Sequence, residues 1–139
     1  MKAKGMRPNP MLTEMLIVLL FFALSACVLV GVFSSAYKSG EIARSETEAL
    51  LWAEDLAERF CLSNRSADEF LEGEGWEALD GEYLYKKQFS RTEYSFTAKP
   101  FALEYASGEV RGFDLSAVSY EKMMFSLPAS NFIAREGVV

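Results

Sequence analysis

Glu14 is the one charged side chain between Arg7 and Lys38, and the apolar run Met15–Phe33 begins directly after it. A carboxylate beside hydrocarbon costs a few kcal/mol unless it is paired, protonated or held at the headgroups. Glu14 therefore has two readings. It is an acid on the first turn of a helix, where the macrodipole favours it, or an acid that meets a cation from another chain. The two cysteines, Cys27 inside the run and Cys61 beyond it, cannot pair. One helix joining them would hold them about 50 Å apart. There is no histidine, which removes the commonest general base and the commonest metal ligand. Cys61 has only Arg59 and Arg65 nearby to favour a thiolate. Glu72, Glu74, Glu77, Asp80 and Glu82 could face a cation through oxygen, but their spacing is not that of an EF-hand loop, and a solvated acidic loop is expected. Paired carboxylates for glycoside hydrolysis would need a cleft, and nothing in the pattern frames one. Gly73-Glu74-Gly75-Trp76-Glu77-Ala78 has the G-x-G-x-x-A form, yet no apolar strand precedes it and its carboxylates would repel a phosphate. No catalytic residue, cofactor or metal site is expected, and the chain does not read as an enzyme.

Charge is divided along the chain. Residues 1–13 hold Lys2, Lys4 and Arg7 and no acid, whereas from Ser34 onward 11 basic residues face 19 acidic ones. A basic start, an apolar run and an acidic remainder describe a membrane-tethered protein. The acidic remainder disfavours nucleic acid as a partner, because phosphate neutralisation needs a basic face. The 19 residues of Met15–Phe33 would rise about 28 Å as a helix, close to the hydrocarbon thickness of a bilayer. The cations before the run keep the N-terminus cytoplasmic and send the C-terminal part outside. Three fates are open for the segment. It is a retained single-pass helix, a cleaved secretory signal with Ser34-Ser35-Ala36 at the cut, or a lipoprotein signal. The last follows from Leu24-Ser25-Ala26-Cys27, which resembles the bacterial lipobox and would make Cys27 the lipidated residue. The retained helix is taken first, because the run is longer than the apolar core of an ordinary signal peptide.

Met11-Leu12-Thr13-Glu14-Met15-Leu16-Ile17-Val18-Leu19-Leu20 resembles the N-terminal segment of type IV pilins and pseudopilins, and of the small pilin-like membrane proteins of Gram-positive bacteria. In that family a short basic leader precedes an apolar helix carrying one glutamate. The helix anchors the subunit in the membrane before assembly and then packs in the filament core. The resemblance implies that Glu14 pairs with the N-terminal amine of a neighbouring subunit. It also implies a minor or accessory subunit of a pilus-like or type II-like secretion assembly, with other pilin-like subunits or an assembly platform as partners. Asn9-Pro10 stands where the family's processing enzyme would cut after glycine, so the leader is expected to be kept. The alternative is a membrane- or lipid-anchored extracytoplasmic module that binds a ligand.

The elements that must position these residues follow from periodicity. Beyond the apolar run, Ile42, Ala49, Ala53, Leu56, Ala57 and Phe60 recur at helical spacing. One helix is expected over about 12–61, membrane-spanning at 15–33 and amphipathic after it. Ser66-Ala67-Asp68-Glu69 is a capping box that opens a short helix to about Glu72. From Glu82 the period becomes two, with Tyr83-Leu84-Tyr85 opening one strand and Tyr94 and Phe96 a second. Pro100 interrupts that ladder before Phe101, Leu103 and Tyr105 resume in the other phase. Ala106–Glu109 is a turn, Phe113, Leu115 and Ala117 alternate, and Tyr120–Lys122 turns into Met123, Phe125 and Leu127. The expected fold is α+β, a long N-terminal helix packed on a small antiparallel sheet of three to four strands. Its parts are a basic cytoplasmic leader 1–11, the helix 12–61, an extracytoplasmic domain 62–132 and a loose tail 133–139.

Overall fold

A computed structural model describes residues 5, 7 and 9–134. The rest of the basic leader and the end of the expected tail, residues 135–139, lie outside the described residues. The chain divides into two compact units, Met1–Gly40 and Glu41–Val139. Helix α1 spans Pro10–Leu62, 53 residues. Its start is written in Asn9-Pro10. The Asn9 carbonyl accepts from the amides of Leu12 and Thr13 at 3.0 and 3.1 Å. Pro10 occupies the first helical position, where a missing N–H costs nothing. Glu14 consequently falls beyond the first turn, which contains no acid. Of the two readings of Glu14, the first-turn acid supported by the dipole is therefore disfavoured, because the dipole's influence decays within that turn.

From Glu41 onward α1 covers one face of an antiparallel sheet. Ser45, Ala49, Ala53, Leu56 and Phe60 are its buried stripe. The first three are small, which lets the helix approach the strands closely. Ile42, expected in the stripe, is 42% exposed. Ser45 takes the inward position instead, where its hydroxyl meets the Tyr94 hydroxyl at 3.1 Å. Helix α2, Ala67–Gly73, opens on Ser66, whose side chain accepts from the Glu69 amide as the capping box requires.

The sheet has five strands, not three to four: β1 Glu77–Leu79, β2 Glu82–Phe89, β3 Thr92–Tyr105, β4 Gly108–Ser119 and β5 Lys122–Ala134, in the order β1-β2-β3-β4-β5. Each connection is a two-residue turn. The additional strand, β1, is formed by Asp80-Gly81, with φ of 49° and 80°. Aspartate-glycine suits a turn that needs two positive φ values and returns the chain in register with β2. Ile133 and Ala134, expected in the loose tail, belong to β5 and pair with Glu109 and Gly108.

Pro100 does not break β3. Pairing with β2 ends at Ala98, so from Lys99 to Tyr105 the strand has β4 alone beside it. A proline is tolerated on such an edge. Cross-strand rows define the inner face. Tyr83, Ala98, Leu115 and Leu127 form one row, and Tyr85, Phe96, Ala117 and Phe125 form the next. Over these rows Trp52 of α1 stacks on Tyr85 at 5.5 Å and meets Phe96 at 4.7 Å, while Phe60 meets Phe113 at 4.9 Å. A register shift after Ala117 places Met123 opposite Val118. One extra residue reverses the phase, so Met123, expected inward with Phe125 and Leu127, is 63% exposed.

Candidate functional site

Met15–Phe33 is uncovered. None of its most apolar stretch is buried, and Phe21 and Phe22 are 71% and 72% exposed. Helical geometry satisfies every backbone bond within the segment itself, which is the condition for crossing hydrocarbon. Ser25 directs its hydroxyl to the Phe21 carbonyl at 2.9 Å, closing the one side-chain hydroxyl in the run back onto the helix. This helix is long and apolar enough to span a membrane. Glu14 is exposed near its N-terminal end, and Cys27 is a free, exposed thiol within it. Both candidate residues therefore lie on the uncovered first part of α1.

Of the acids expected to form a solvated loop, Glu77 and Asp80 are exposed, and the other three meet separate partners. Glu74 pairs with Arg59 at 2.8 Å and Glu82 with Lys99 at 2.8 Å. Glu72 joins Asp68 in accepting from the Tyr83 hydroxyl, at 3.3 and 3.0 Å. Burial of the ring, reinforced by the two carboxylates, pushes the Tyr83 pKa up to about 12. Among the described residues no group of three or more carboxylate or thiol side chains converges as a metal site would require. Gly73–Ala78 runs from helix to turn to strand, with Gly75 at φ 86°. A phosphate loop runs in the opposite order, from strand to loop to helix.

At the Tyr105 end of the sheet the inner face turns polar. Ala102, Arg111 and Asn131 form one row, and Glu104, Glu109 and Ile133 the next. Ser66, Ala67 and Asp68 stand over them across a recess of about 320 Å³. Its cation is engaged, since Arg111 holds Glu109 at 2.6 Å and lowers that carboxyl's pKa by hydrogen bonding. A shallower groove of about 460 Å³ runs between the end of α1 and β5. There Cys61 donates to the Ser130 carbonyl at 3.3 Å, and the groove's lining residues include no lysine or arginine.

The outer face of the sheet carries a second exposed apolar surface. Its middle rows are polar: Thr97, Ser116 and Ser126, then Lys99, Asp114 and Pro128. Toward the Ala106-Ser107 turn it becomes apolar, with Leu103, Val110 and Phe132 in one row. Leu103, Tyr105 and Phe132 are each just over half exposed. Glycines make this surface possible. A Cβ on Gly112 would stand 2.7 Å from the Phe101 ring, and one on Gly108 would stand 2.6 Å from the Phe132 ring. The rings lie across the bare backbone, the arrangement in which an aromatic side chain shields a glycine in a strand. The phase change after Pro100 was the sequence signal for this surface, because it moves Phe101, Leu103 and Tyr105 to the face opposite Tyr94 and Phe96. The chain matches no family model, no curated protein and no solved structure.

Proposed function

We propose that the chain is a pilin-like, single-pass membrane subunit, with a cytoplasmic N-terminus and a small extracytoplasmic α+β domain. It would serve as a minor or accessory component of a pilus-like or type II-like secretion assembly. The supporting observation is α1 itself, one helix whose first part is apolar and uncovered and whose last part is the spine of an antiparallel sheet. The three cations of the leader supply the orientation. Glu14 supplies the assembly contact, a carboxylate placed where pairing with a neighbouring subunit's cation is worth more than in water.

Crosslinking in native membranes tests this reading. Glu14→Ala should stay folded and anchored but lose its crosslinks to partner membrane subunits, with Glu14→Asp retaining part of them. Crosslinking of Glu14→Ala at the parent's level would refute the role. Protease added to cells without an outer barrier should digest the domain from Trp76 onward. Protection there until lysis would refute the orientation.

The second reading is an anchored ligand-binding module, and the outer-face surface of Leu103, Tyr105, Val110 and Phe132 favours it. Contiguous exposed apolar side chains of this kind mark interaction sites. In its lipoprotein form the anchor would be Cys27. Intact-mass measurement of membrane-extracted protein separates the full-length, cleaved and lipidated forms.

A further inference from the structure

Two turns at the sheet end opposite Leu103 and Tyr105 lie side by side. They are Ser90-Arg91, between β2 and β3, and Tyr120-Glu121, between β4 and β5. The Ser119 hydroxyl donates to the Glu93 carbonyl at 3.2 Å, fastening one hairpin end to the other. The same end is tied to α1, where Arg91 reaches Glu41 at 3.8 Å and Ser45 meets Tyr94 at 3.1 Å. Ser90, Tyr120 and Glu121 all hold positive φ values, 56°, 50° and 60°. No glycine is used at any of these positions, although each φ lies in the left-handed region that favours one. This backbone presents an aromatic ring, a thioether and two cations to solvent. Tyr120 is 80% exposed, Met123 is 63% exposed, and Arg91 and Lys122 stand beside them.

We infer that this end of the sheet docks into the phospholipid headgroup layer of the bilayer that holds Met15–Phe33. The inference rests on the reading of that segment as a membrane span. The tether makes the surface available. Glu41 is eight residues beyond Phe33, so it can lie no more than about 28 Å from it however the intervening chain is arranged. A surface fixed to Glu41 therefore meets the headgroups at high effective concentration, and weak contacts suffice. The side chains have the chemistry of that layer. A tyrosine puts its ring among the upper acyl carbons with its hydroxyl toward water, and arginine and lysine meet phosphate oxygens. Net charge is not the attraction, because Glu41, Glu93 and Glu121 outnumber Arg91 and Lys122 at this end. Docking by Tyr120 and Met123 should consequently persist in zwitterionic phosphatidylcholine and at high salt, where surface electrostatics are screened.

The test uses full-length protein in phosphatidylcholine vesicles and three single-cysteine forms, each labelled with a fluorophore. The forms are Ser90→Cys and Ser107→Cys, both combined with Cys27→Ser and Cys61→Ser, and Cys61→Ser alone, which leaves Cys27 as the probe of the span. Unchanged emission from Trp52 and Trp76 certifies the fold of each. A nitroxide on the lipid headgroup should remove most of the emission from position 90 and little from position 107 at the opposite sheet end. Adding Tyr120→Ser and Met123→Ser should return position 90 to the level of position 107. If position 90 is quenched no more than position 107 while an acyl-chain nitroxide quenches Cys27, docking is refuted and the span reading stands. If the acyl-chain nitroxide leaves Cys27 bright, the span reading fails and docking fails with it.

Discussion

The hydroxyl pair Ser45–Tyr94 tests the seating of α1 on the sheet with an order of stabilities that simple contact loss would not produce. Ser45 is fully buried and Tyr94 is 1% exposed. Ser45 donates to the Ile42 carbonyl at 2.9 Å, so the 3.1 Å contact with Tyr94 is made by the phenol donating to the serine oxygen. Tyr94→Phe removes that bond but leaves Ser45 satisfied through Ile42. It should cost about 0.5–1.5 kcal/mol, the net worth of one hydrogen bond. Ser45→Ala instead strands a buried phenol without an acceptor and should cost about 1–3 kcal/mol. Adding Tyr94→Phe to Ser45→Ala removes the stranded group, so the double variant should be more stable than Ser45→Ala alone. Urea unfolding in detergent, followed by Trp52 and Trp76 fluorescence, reads all four proteins. With a slope of about 1–3 kcal/mol per molar urea, Ser45→Ala should lower the midpoint by about 1 M. A midpoint for Ser45→Ala within experimental scatter of the parent would show that the helix does not press Ser45 against Tyr94. Strict additivity of the two substitutions would refute the coupling between them.

Tyr83 keeps its proton to about 12, against an ordinary 10.0. A raised folded pKa gives stability that is complete below 10 and lost as pH climbs toward 12, and Tyr83→Phe should flatten the decline in urea midpoint over that window. Gly112→Ala would drive a methyl against the Ala129 carbonyl and to 2.7 Å from the Phe101 ring. It should destabilise by about 1–3 kcal/mol, as overpacking does, with thermal melting as the readout. Cys27→Ser should leave membrane association unchanged and alter the mass only by the substitution, because a span of this length anchors without a lipid. Release of that variant from membranes would favour the lipoprotein reading.

Much of the architecture was legible because it depends on periodicity. The 3.6-residue stripe of Ala49, Ala53, Leu56 and Phe60, the capping box at Ser66, and the alternation at Tyr94–Phe96 and Phe113–Ala117 each state locally what the fold does globally. What escaped depends on single residues whose effect is set by a neighbour. Asp80-Gly81 names its turn, yet a strand of three residues is too short to show a period, so β1 was hidden. Pro100 reads as a break wherever a strand has partners on both sides, and β2 is too short to provide the second one. Met123 keeps the alternation in the sequence and loses it in the sheet, because the register shift lies between it and Phe125. Ser45 is polar by type and becomes core only because Tyr94 brings a hydroxyl to it.

Asn9-Pro10 carries the same lesson into function. As a substitute for a processing site it counts only as an absence, but as an N-cap followed by a first-turn proline it is a positive helix-start signal. The helix that begins there moves Glu14 out of the first turn, where the dipole would have supported its charge. A headgroup-level acid explained by the dipole loses its main energetic support, and the carboxylate must find its stabilisation in water, in lipid headgroups or in a cation on another chain. Moving the helix start separates these sources. Pro10→Gly together with Asn9→Ala weakens the start signal and lets the first turns fray without touching Glu14. If the acid serves a partner subunit, Glu14-dependent crosslinking should fall along with the order of those turns. If the acid merely rests at the headgroups, crosslinking should be the same in the parent and in this variant.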